Sequence, residues 1–207
     1  MKGKAGIVAG ALTGLALVLA PILDGLYVRE GGYVNHKNDR GGATRYGITE
    51  AVARQWGYKG DMRVFPKHCD DRNPVCADKI YRVTYIEKPG FLPFAAMSPA
   101  VLEELVDSAV LHGPSKPSLW LQKSLNNVCD AALMVDGKVG PKTVEAYDIC
   151  RQRYGDGLTC FMVLEDLDDQ QHRYFDEIVA RNPSQRVFYK GWTSKRLNNV
   201  DRRKCFR

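Results

Sequence analysis

The chain opens with a hydrophobic run that differs from everything after it. Ala5 to Leu23 holds no charged residue over 19 positions. At about 1.5 Å per residue, a helix of this length can just cross a bilayer core of roughly 30 Å. Ten of the 19 residues are Ala, Gly, Thr or Pro, so the span is only weakly hydrophobic. Lys2 and Lys4 precede it and predict a cytoplasmic N-terminus.

Three interpretations of this segment compete. A cleaved signal peptide would be cut after Ala20, which would leave Pro21 directly behind the cut, a poor position for a peptidase that needs an extended backbone. A permanent anchor would be expected to hold more Leu, Ile and Phe. The Gly and Ala content favours the third interpretation, an anchor weak enough to leave the membrane. Gly6, Gly10 and Gly14 would lie on one helix face, suited to dimerisation in lipid or to close packing on the protein itself.

Helical periodicity dominates the remainder of the chain. Ile22 to Glu30 reads as a short helix that Gly31 or Gly32 should end. Strand signals are confined to residues 33–37 and 43–49, joined by the turn "NDRGG". Further helices are predicted at about 73–87, about 98–112, 118–128, from Pro141 onward, and at 158–181. The pattern therefore predicts an α+β fold that is mostly helical, with one small β-hairpin or sheet.

The net charge of the chain restricts the kinds of binding partner only slightly. The net charge of +6 and the pI of about 9.0 suit an anionic partner such as nucleic acid, anionic lipid or the bacterial cell wall. The same charge could simply aid solubility. No Gly-rich phosphate loop, nucleophile elbow or RNA-binding motif is present, and the basic "RRKCFR" end reads as a solvated tail. We therefore expect no nucleic-acid partner.

The cysteines indicate an oxidising compartment. An even number of them behind a hydrophobic N-terminus predicts up to three disulfides, and sequence alone leaves the pairing open. The short loop between Cys69 and Cys76 favours that pair. A zinc site built from His68, Cys69, Asp70 and Cys76 lacks a second ligand pair, so we expect no metal. The six disulfide candidates are Cys69, Cys76, Cys129, Cys150, Cys160 and Cys205.

Carboxylates and glycines concentrate just after the hydrophobic run, in "EGGYVNHKNDRGGATRYGIT". Glu30 should end a helix, where the negative pole of the helix dipole and partial burial would raise its pKa and keep it protonated as a general acid. Asp39, in a polar turn, should stay ionised and could orient a water or stabilise positive charge on a sugar ring. Thr44 could hold that water. The glycines would let a bulky substrate approach the backbone.

This stretch closely resembles the Glu-Gly-Gly-Tyr, Asp-x-Gly-Gly-x-Thr and Gly-Ile-Thr signature of the glycoside hydrolase family 108 lysozymes, which include phage endolysins. The resemblance implies that Glu30 is the catalytic acid and that Asp39 and Thr44 assist the attacking water. The gap from Asp39 to Thr44 is one residue shorter than in the better-known phage lysozymes. Tyr33 and Tyr46 could stack on sugar rings or could only pack within the hairpin.

The C-terminal half extends the same resemblance. "DSAVLHGP", "WLQKSLN", "DGKVGPKTVEAY" and "FYKGWTSKR" resemble the region that follows the catalytic motif in this family. The "WLQ" and "DGKVGPKT" portions also look like a peptidoglycan-binding repeat, although Asp136-Gly137 and Gly140-Pro141 would equally make a tight turn before a helix. We expect three regions, a signal-anchor helix (1–24), a lysozyme-like catalytic region (25–100) and a helical C-terminal region (101–207), with the hairpin beside the catalytic helix.

The function that follows is hydrolysis of the β-1,4 bond between N-acetylmuramic acid and N-acetylglucosamine. By the resemblance, the chain would be a phage endolysin acting on a Gram-negative host. It would first be held inactive in the host inner membrane and then released into the periplasm as a monomer. The partners would be peptidoglycan glycan strands, and no cofactor is implied. The alternatives are a lytic transglycosylase and a non-catalytic, membrane-anchored wall-binding protein.

Overall fold

The structure is a computed structural model that describes residues 5–35 and 42–207, with the side chains of residues 5–13, Arg29 and Glu30 excepted. The chain forms two compact units, Met1–Lys88 and Pro89–Arg207. As predicted, the described part is mostly helical, with a small two-stranded antiparallel sheet, consistent with a lysozyme-like α+β fold. Within the described part, no helix is both long and apolar enough to cross a membrane.

Helix α1 (Ala5–Glu30) joins the hydrophobic run and the predicted short helix into one continuous element. Pro21 lies inside it. Leu19, Ile22, Leu23 and Leu26 are buried at the spacing of one helix face, so the second half of α1 contributes to the core of the first unit. Gly31, with a φ of 81°, ends the helix in the left-handed conformation that the sequence predicts.

The hairpin lies later in the chain than predicted. Strands β1 (Thr44–Arg45) and β2 (Ile48–Thr49) pair with each other, so both fall inside the single segment that we expected to be one strand. Tyr46 and Gly47 turn between them with φ values of 53° and 73°, as a two-residue hairpin turn requires. The other predicted strand contributes an isolated bridge between Val34 and Thr44.

Short helical elements complete the first unit. Helix α2 (Glu50–Gln55) follows β2 directly, and a 3₁₀ turn (Met62–Val64) comes next. Helix α3 (Ala77–Arg82) continues as a π-helical turn (Val83–Glu87). We predicted that this helix starts at Asn73, but Cys76 is its N-cap because residues 69–76 form a loop closed by the Cys69–Cys76 disulfide.

The second unit is a helical assembly centred on its longest helix. Its described helices are α4 (Phe94–Met97), α5 (Pro99–His112), α6 (Ser115–Cys129), α7 (Pro141–Tyr154), α8 (Asp156–Arg181) and α9 (Arg186–Arg196). Helix α8 packs against α5, α6, α7 and α9. Two 3₁₀ turns, Pro183–Gln185 and Arg202–Phe206, complete the unit.

Three disulfides secure these elements, and Cys69–Cys76 is confirmed as a pair. Cys129–Cys150 ties the end of α6 to α7. Cys160–Cys205 ties α8 to the C-terminal 3₁₀ turn. In this structure Cys69 and Cys76 cannot serve as zinc ligands, because they are bonded to each other and carry no thiolate.

Candidate active site

Glu30 is the last residue of α1. The helix ends there because the Gly31 N–H donates to the Tyr27 carbonyl at 3.1 Å and Gly31 then leaves the helical conformation. A residue at this end lies at the negative pole of the helix dipole. The position is the one that the sequence predicts for a general acid, while the Glu30 side chain lies outside the described atoms.

Thr44 lies on β1, and the bridge to Val34 brings it back toward the end of α1. Two backbone hydrogen bonds form this bridge, Val34 N–H to Thr44 O at 2.8 Å and Thr44 N–H to Val34 O at 2.7 Å. Val34 follows Glu30 by four residues in the chain. The backbone thus closes a loop whose ends are near α1, and Asp39 belongs to its part outside the described residues.

Tyr33 and Tyr46 are placed differently from each other. Tyr33 is 40% exposed. Tyr46 packs edge-on against Tyr27 of α1, with ring centroids 5.5 Å apart, and its carbonyl accepts from the Tyr81 hydroxyl at 2.9 Å. The Arg45 guanidinium lies 5.1 Å from the Tyr46 ring centroid. Packing within the unit is therefore established for Tyr46, and sugar stacking by either ring stays a prediction.

A docking segment (residues 67–78) fixes the end of α1 that carries Glu30. The Tyr27 hydroxyl donates to Asp78 Oδ1 at 2.5 Å, and Lys67 Nζ lies 2.5 Å from Asp24 Oδ1. Burial, and then the hydrogen bond to Asp78, raise the pKa of Tyr27 well above its usual range. The Lys67 ammonium lowers the pKa of Asp24. The hydroxyl therefore stays a donor and the Asp24 carboxyl stays ionised.

The docking segment was not recognised as part of the site from sequence. His68 Nδ1 lies 2.6 Å from the other Asp78 oxygen, and the Cys69–Cys76 disulfide closes the loop between them. Asp78 is 51 residues from Tyr27 in the chain, and no local pattern signals such a contact. Tyr27 precedes Glu30 by about one helical turn, so the contacts that fix Tyr27 also fix the backbone from which the predicted acid extends.

A further carboxylate, Glu50, lies close to the Gly-rich turn. A Cβ added at Gly42 would come within 3.2 Å of Glu50 Oε2. Arg54 Nη2 binds the other oxygen, Glu50 Oε1, at 2.6 Å. Arg54 also donates to the carbonyls of Tyr58 and Gly60 at 2.9 and 2.8 Å. Glu50 therefore has a structural use: its side chain pairs with Arg54, and its backbone N–H donates to the Ala43 carbonyl at 2.7 Å. Within the described residues, no cluster of His, Cys, Asp and Glu is arranged to hold a metal ion.

In the second unit, the "WLQ" and "DGKVGPKT" motifs contact each other. Gln122 Nε2 donates to Asp136 Oδ1 at 2.8 Å and to the Lys138 carbonyl at 3.1 Å. Gln122 Oε1 accepts from the Gly137 N–H at 2.8 Å. The bond from Gln122 lowers the pKa of Asp136. These residues make the tight turn before α7 that we considered as an alternative to wall binding.

Two family models match consecutive parts of the chain, and the first match extends from the first unit into the start of the second. Residues 23–113 match the family model described as Glycosyl hydrolase 108. Residues 116–197 match the model described as Predicted Peptidoglycan domain. The matches support a peptidoglycan hydrolase of the family 108 type. The solved structure of Brucella abortus SagA is 27% identical, with a TM-score of 0.57, and the similarity covers 90% of this chain and 92% of that chain. No curated protein matches the chain.

The two matches divide the candidate site residues along the chain. The match that covers residues 23–113 contains Glu30, Asp39, Thr44 and the docking segment together. The peptidoglycan-domain match contains all of α6 except its first residue, and the whole of α7, α8 and α9. Cleavage of a peptidoglycan glycan and attachment to peptidoglycan are therefore the activities that the two matched regions support.

Proposed function

We propose that the chain is a muramidase, which hydrolyses the β-1,4 bond between N-acetylmuramic acid and N-acetylglucosamine. One observation carries the proposal: α1 ends at Glu30, and the Val34–Thr44 bridge follows shortly after that end. The bridge closes the loop that contains Asp39. In this mechanism Glu30 protonates the glycosidic oxygen. Asp39 orients a water for attack on the anomeric carbon, and Thr44 holds that water.

Replacing Glu30 tests the assignment. Glu30→Gln keeps the shape of the side chain but loses the proton, so activity should fall by at least about 10²-fold. The measurement is the turbidity of permeabilised Gram-negative cells or purified peptidoglycan. Glu87→Gln is the matched control, because it removes a carboxylate from the same unit at a partly exposed ion pair with Arg82. Near-wild-type lysis by Glu30→Gln would refute the assignment.

The products separate this proposal from its rivals. A hydrolase that uses a positioned water gives a reducing sugar of inverted configuration, and its two carboxyl groups lie roughly 6.5–9.5 Å apart. A lytic transglycosylase gives an anhydro sugar instead and needs no Asp39. A non-catalytic wall-binding protein gives no product. Mass spectrometry and NMR of the released fragments distinguish all three.

We propose further that the N-terminal segment is a signal-anchor, from which a phage endolysin is released into the periplasm of a Gram-negative host as a monomer. Leu19, Ile22 and Leu23 support it, because they belong to the uncharged run and are also buried in the first unit. The same side chains cannot lie in lipid and in this core at once. The anchored form should therefore lack the docked α1 and be inactive.

Strengthening the anchor tests the release. Leu at positions 6, 10 and 14 in place of Gly should favour the membrane by about 1–2 kcal/mol from the added leucines alone. The triple variant should stay in the membrane fraction and delay lysis. The matching Gly→Ala triple variant is the control, since it adds helix propensity with little hydrophobicity. An active periplasmic enzyme that begins at Pro21 would show instead that the segment is an ordinary cleaved signal.

A further inference from the structure

A small polar groove lies between α6 and α8 in the second unit, away from the Gln122 turn. Its volume is about 240 Å³. This is below the roughly 300–1,000 Å³ of ordinary small-molecule pockets, so the groove suits one side chain or chain end rather than a disaccharide. The residues that line it are Lys116, Trp120, Lys123, Asn127, Gln170, Arg173, Tyr174 and Glu177.

Three cations surround this groove without a fixed counter-ion. Lys116, Lys123 and Arg173 form no ion pair with any residue in the described part of the chain. The carboxylate among the lining residues, Glu177, is bound by Arg181 Nη2 at 3.0 Å. The groove therefore has a local excess of positive charge and favours an anion.

The aromatic side chains of the groove do not offer a stacking platform for sugars. Trp120 is only 6% exposed, and it packs edge-on against His112 and Tyr174. Lys116 Nζ lies 4.2 Å from the Tyr174 ring centroid, so a cation already occupies one face of that ring. These contacts orient Lys116 toward the groove and leave little ring surface for a pyranose.

The base of the groove is a set of fixed amides. Asp166 Oδ1 accepts from Asn127 Nδ2 at 3.1 Å, and Asp166 Oδ2 accepts from Gln170 Nε2 at 2.6 Å and from Ser124 Oγ at 2.6 Å. These bonds satisfy the acceptor oxygens of Asp166, and its negative charge offsets one of the three cations. Gln170 is only 7% exposed, and its Oε1 has no hydrogen-bond partner in the described part. This oxygen is itself buried, so the three cations are the groups that the groove presents to a ligand.

We propose that this groove binds a carboxylate of the peptidoglycan stem peptide. The inference rests on the proposed function, because that function makes peptidoglycan the partner. Glycan strands of N-acetylated sugars contribute neutral groups, whereas stem peptides carry free carboxylates together with N–H donors. The three cations of the groove match such a carboxylate. The groove would thus hold the peptide while the first unit cleaves the glycan.

Binding by the full chain tests this proposal with defined probes. Calorimetry would use the tripeptide L-Ala-γ-D-Glu-meso-diaminopimelate, the same tripeptide with its carboxyls amidated, and tetra-N-acetylchitotetraose. The first should bind in a salt-dependent manner. Lys123→Gln and Arg173→Gln should each weaken binding about fivefold, and the double variant about 25-fold, which is the upper end for one exposed ion pair per cation. Both residues are exposed, so the fold should be retained.

A charge-matched control separates the groove from general electrostatics. Lys190→Gln removes one exposed cation on α9 of the same unit and should change the affinity less than twofold. Equal binding of the amidated tripeptide, or equal losses in Lys190→Gln and Lys123→Gln, would overturn the proposal. A chain that cleaves peptidoglycan but does not bind the tripeptide would refute this inference alone. A chain that binds the tripeptide but cleaves nothing would refute the proposed function.

Discussion

Replacing Tyr27 by Phe removes a single hydrogen bond between α1 and the docking segment. The Tyr27 hydroxyl donates to Asp78 Oδ1 at 2.5 Å, and the ring is 93% buried against its neighbours, being 7% exposed. Phe keeps the edge-on contacts with Tyr46 and Tyr81, whose ring centroids lie 5.5 and 5.7 Å away. The variant therefore isolates the polar contact that fixes the helix one turn before Glu30.

The size of the effect follows from the environment of Asp78. A hydrogen bond to a charged group contributes about 1.5–3 kcal/mol. The Asp78 side chain is 32% exposed and keeps its contact with His68 Nδ1 at 2.6 Å, so water and His68 compensate in part. We expect a loss of about 1.5 kcal/mol, at the low end of that range. A difference of about 1.4 kcal/mol is tenfold in an equilibrium constant, so docking of α1 should weaken about tenfold.

Two measurements check this expectation. Urea unfolding should give the lost stability, and lysis at 25 °C should show reduced activity because Glu30 is less well oriented. Tyr58→Phe is the matched control, since the Tyr58 hydroxyl donates to the Asp61 carbonyl at 2.9 Å at an exposed position. A double-mutant cycle with Asp78→Ala should give a coupling of about 1 kcal/mol or more. Additive effects, or equal losses in both tyrosine variants, would refute a specific role for Tyr27.

Two further predictions concern stability. Removing Cys160–Cys205 should lower the free energy of unfolding by about 4 kcal/mol, and removing Cys69–Cys76 by about 2.5 kcal/mol, because their sequence separations are 45 and 7. Urea unfolding of paired Cys→Ser variants checks the order, and equal losses would contradict it. Burial raises the pKa of Glu104 to about 8 from an ordinary 4.5. A raised carboxyl pKa stabilises the protein at low pH, and this contribution is lost as pH rises from 4.5 to 8. Glu104→Gln keeps an acceptor for Ser108 and does not ionise. Its melting temperature relative to wild type should therefore be higher at pH 8.5 than at pH 5. A difference that does not depend on pH would contradict the raised pKa of Glu104.

Local signals in the sequence predict elements whose ends depend on neighbouring residues. Ser98-Pro99 and Gly113 bound α5 where expected, since a proline suits the first helical turn and glycine suits the residue after the last. Gly31 ends α1 for the same reason. Cys69 and Cys76 are separated by 7 in the sequence, which allows a disulfide without help from the rest of the chain. These features require no knowledge of the fold.

Other features depend on residues far away in the chain. The hairpin turns at Tyr46, a residue rarely found at positive φ, because the Tyr81 hydroxyl binds its carbonyl and Tyr27 packs on its ring. Helix α9 was not predicted; Gly191 lies inside it and lowers the local helix propensity. It forms where Trp192 stacks on Phe175 of α8, with ring centroids 5.4 Å apart. In each case a tertiary contact outweighs the local preference.

In the proposed signal-anchor mechanism, the coupling of the anchor to catalysis needs no separate inhibitor. Glu30 belongs to the same helix, α1, as the buried apolar residues. It follows Leu23 by seven residues, which is about 10 Å along the helix axis. When Leu19 and Leu23 are in lipid, Tyr27 is held near the headgroups and cannot reach Asp78 in its docked geometry. Release frees the same apolar side chains for the protein core and allows the Tyr27–Asp78 bond to form. Because lipid and core compete for α1, Tyr27→Phe should therefore lower the activity of released protein and also raise its membrane fraction, whereas Leu at positions 6, 10 and 14 should raise the membrane fraction through the anchor alone.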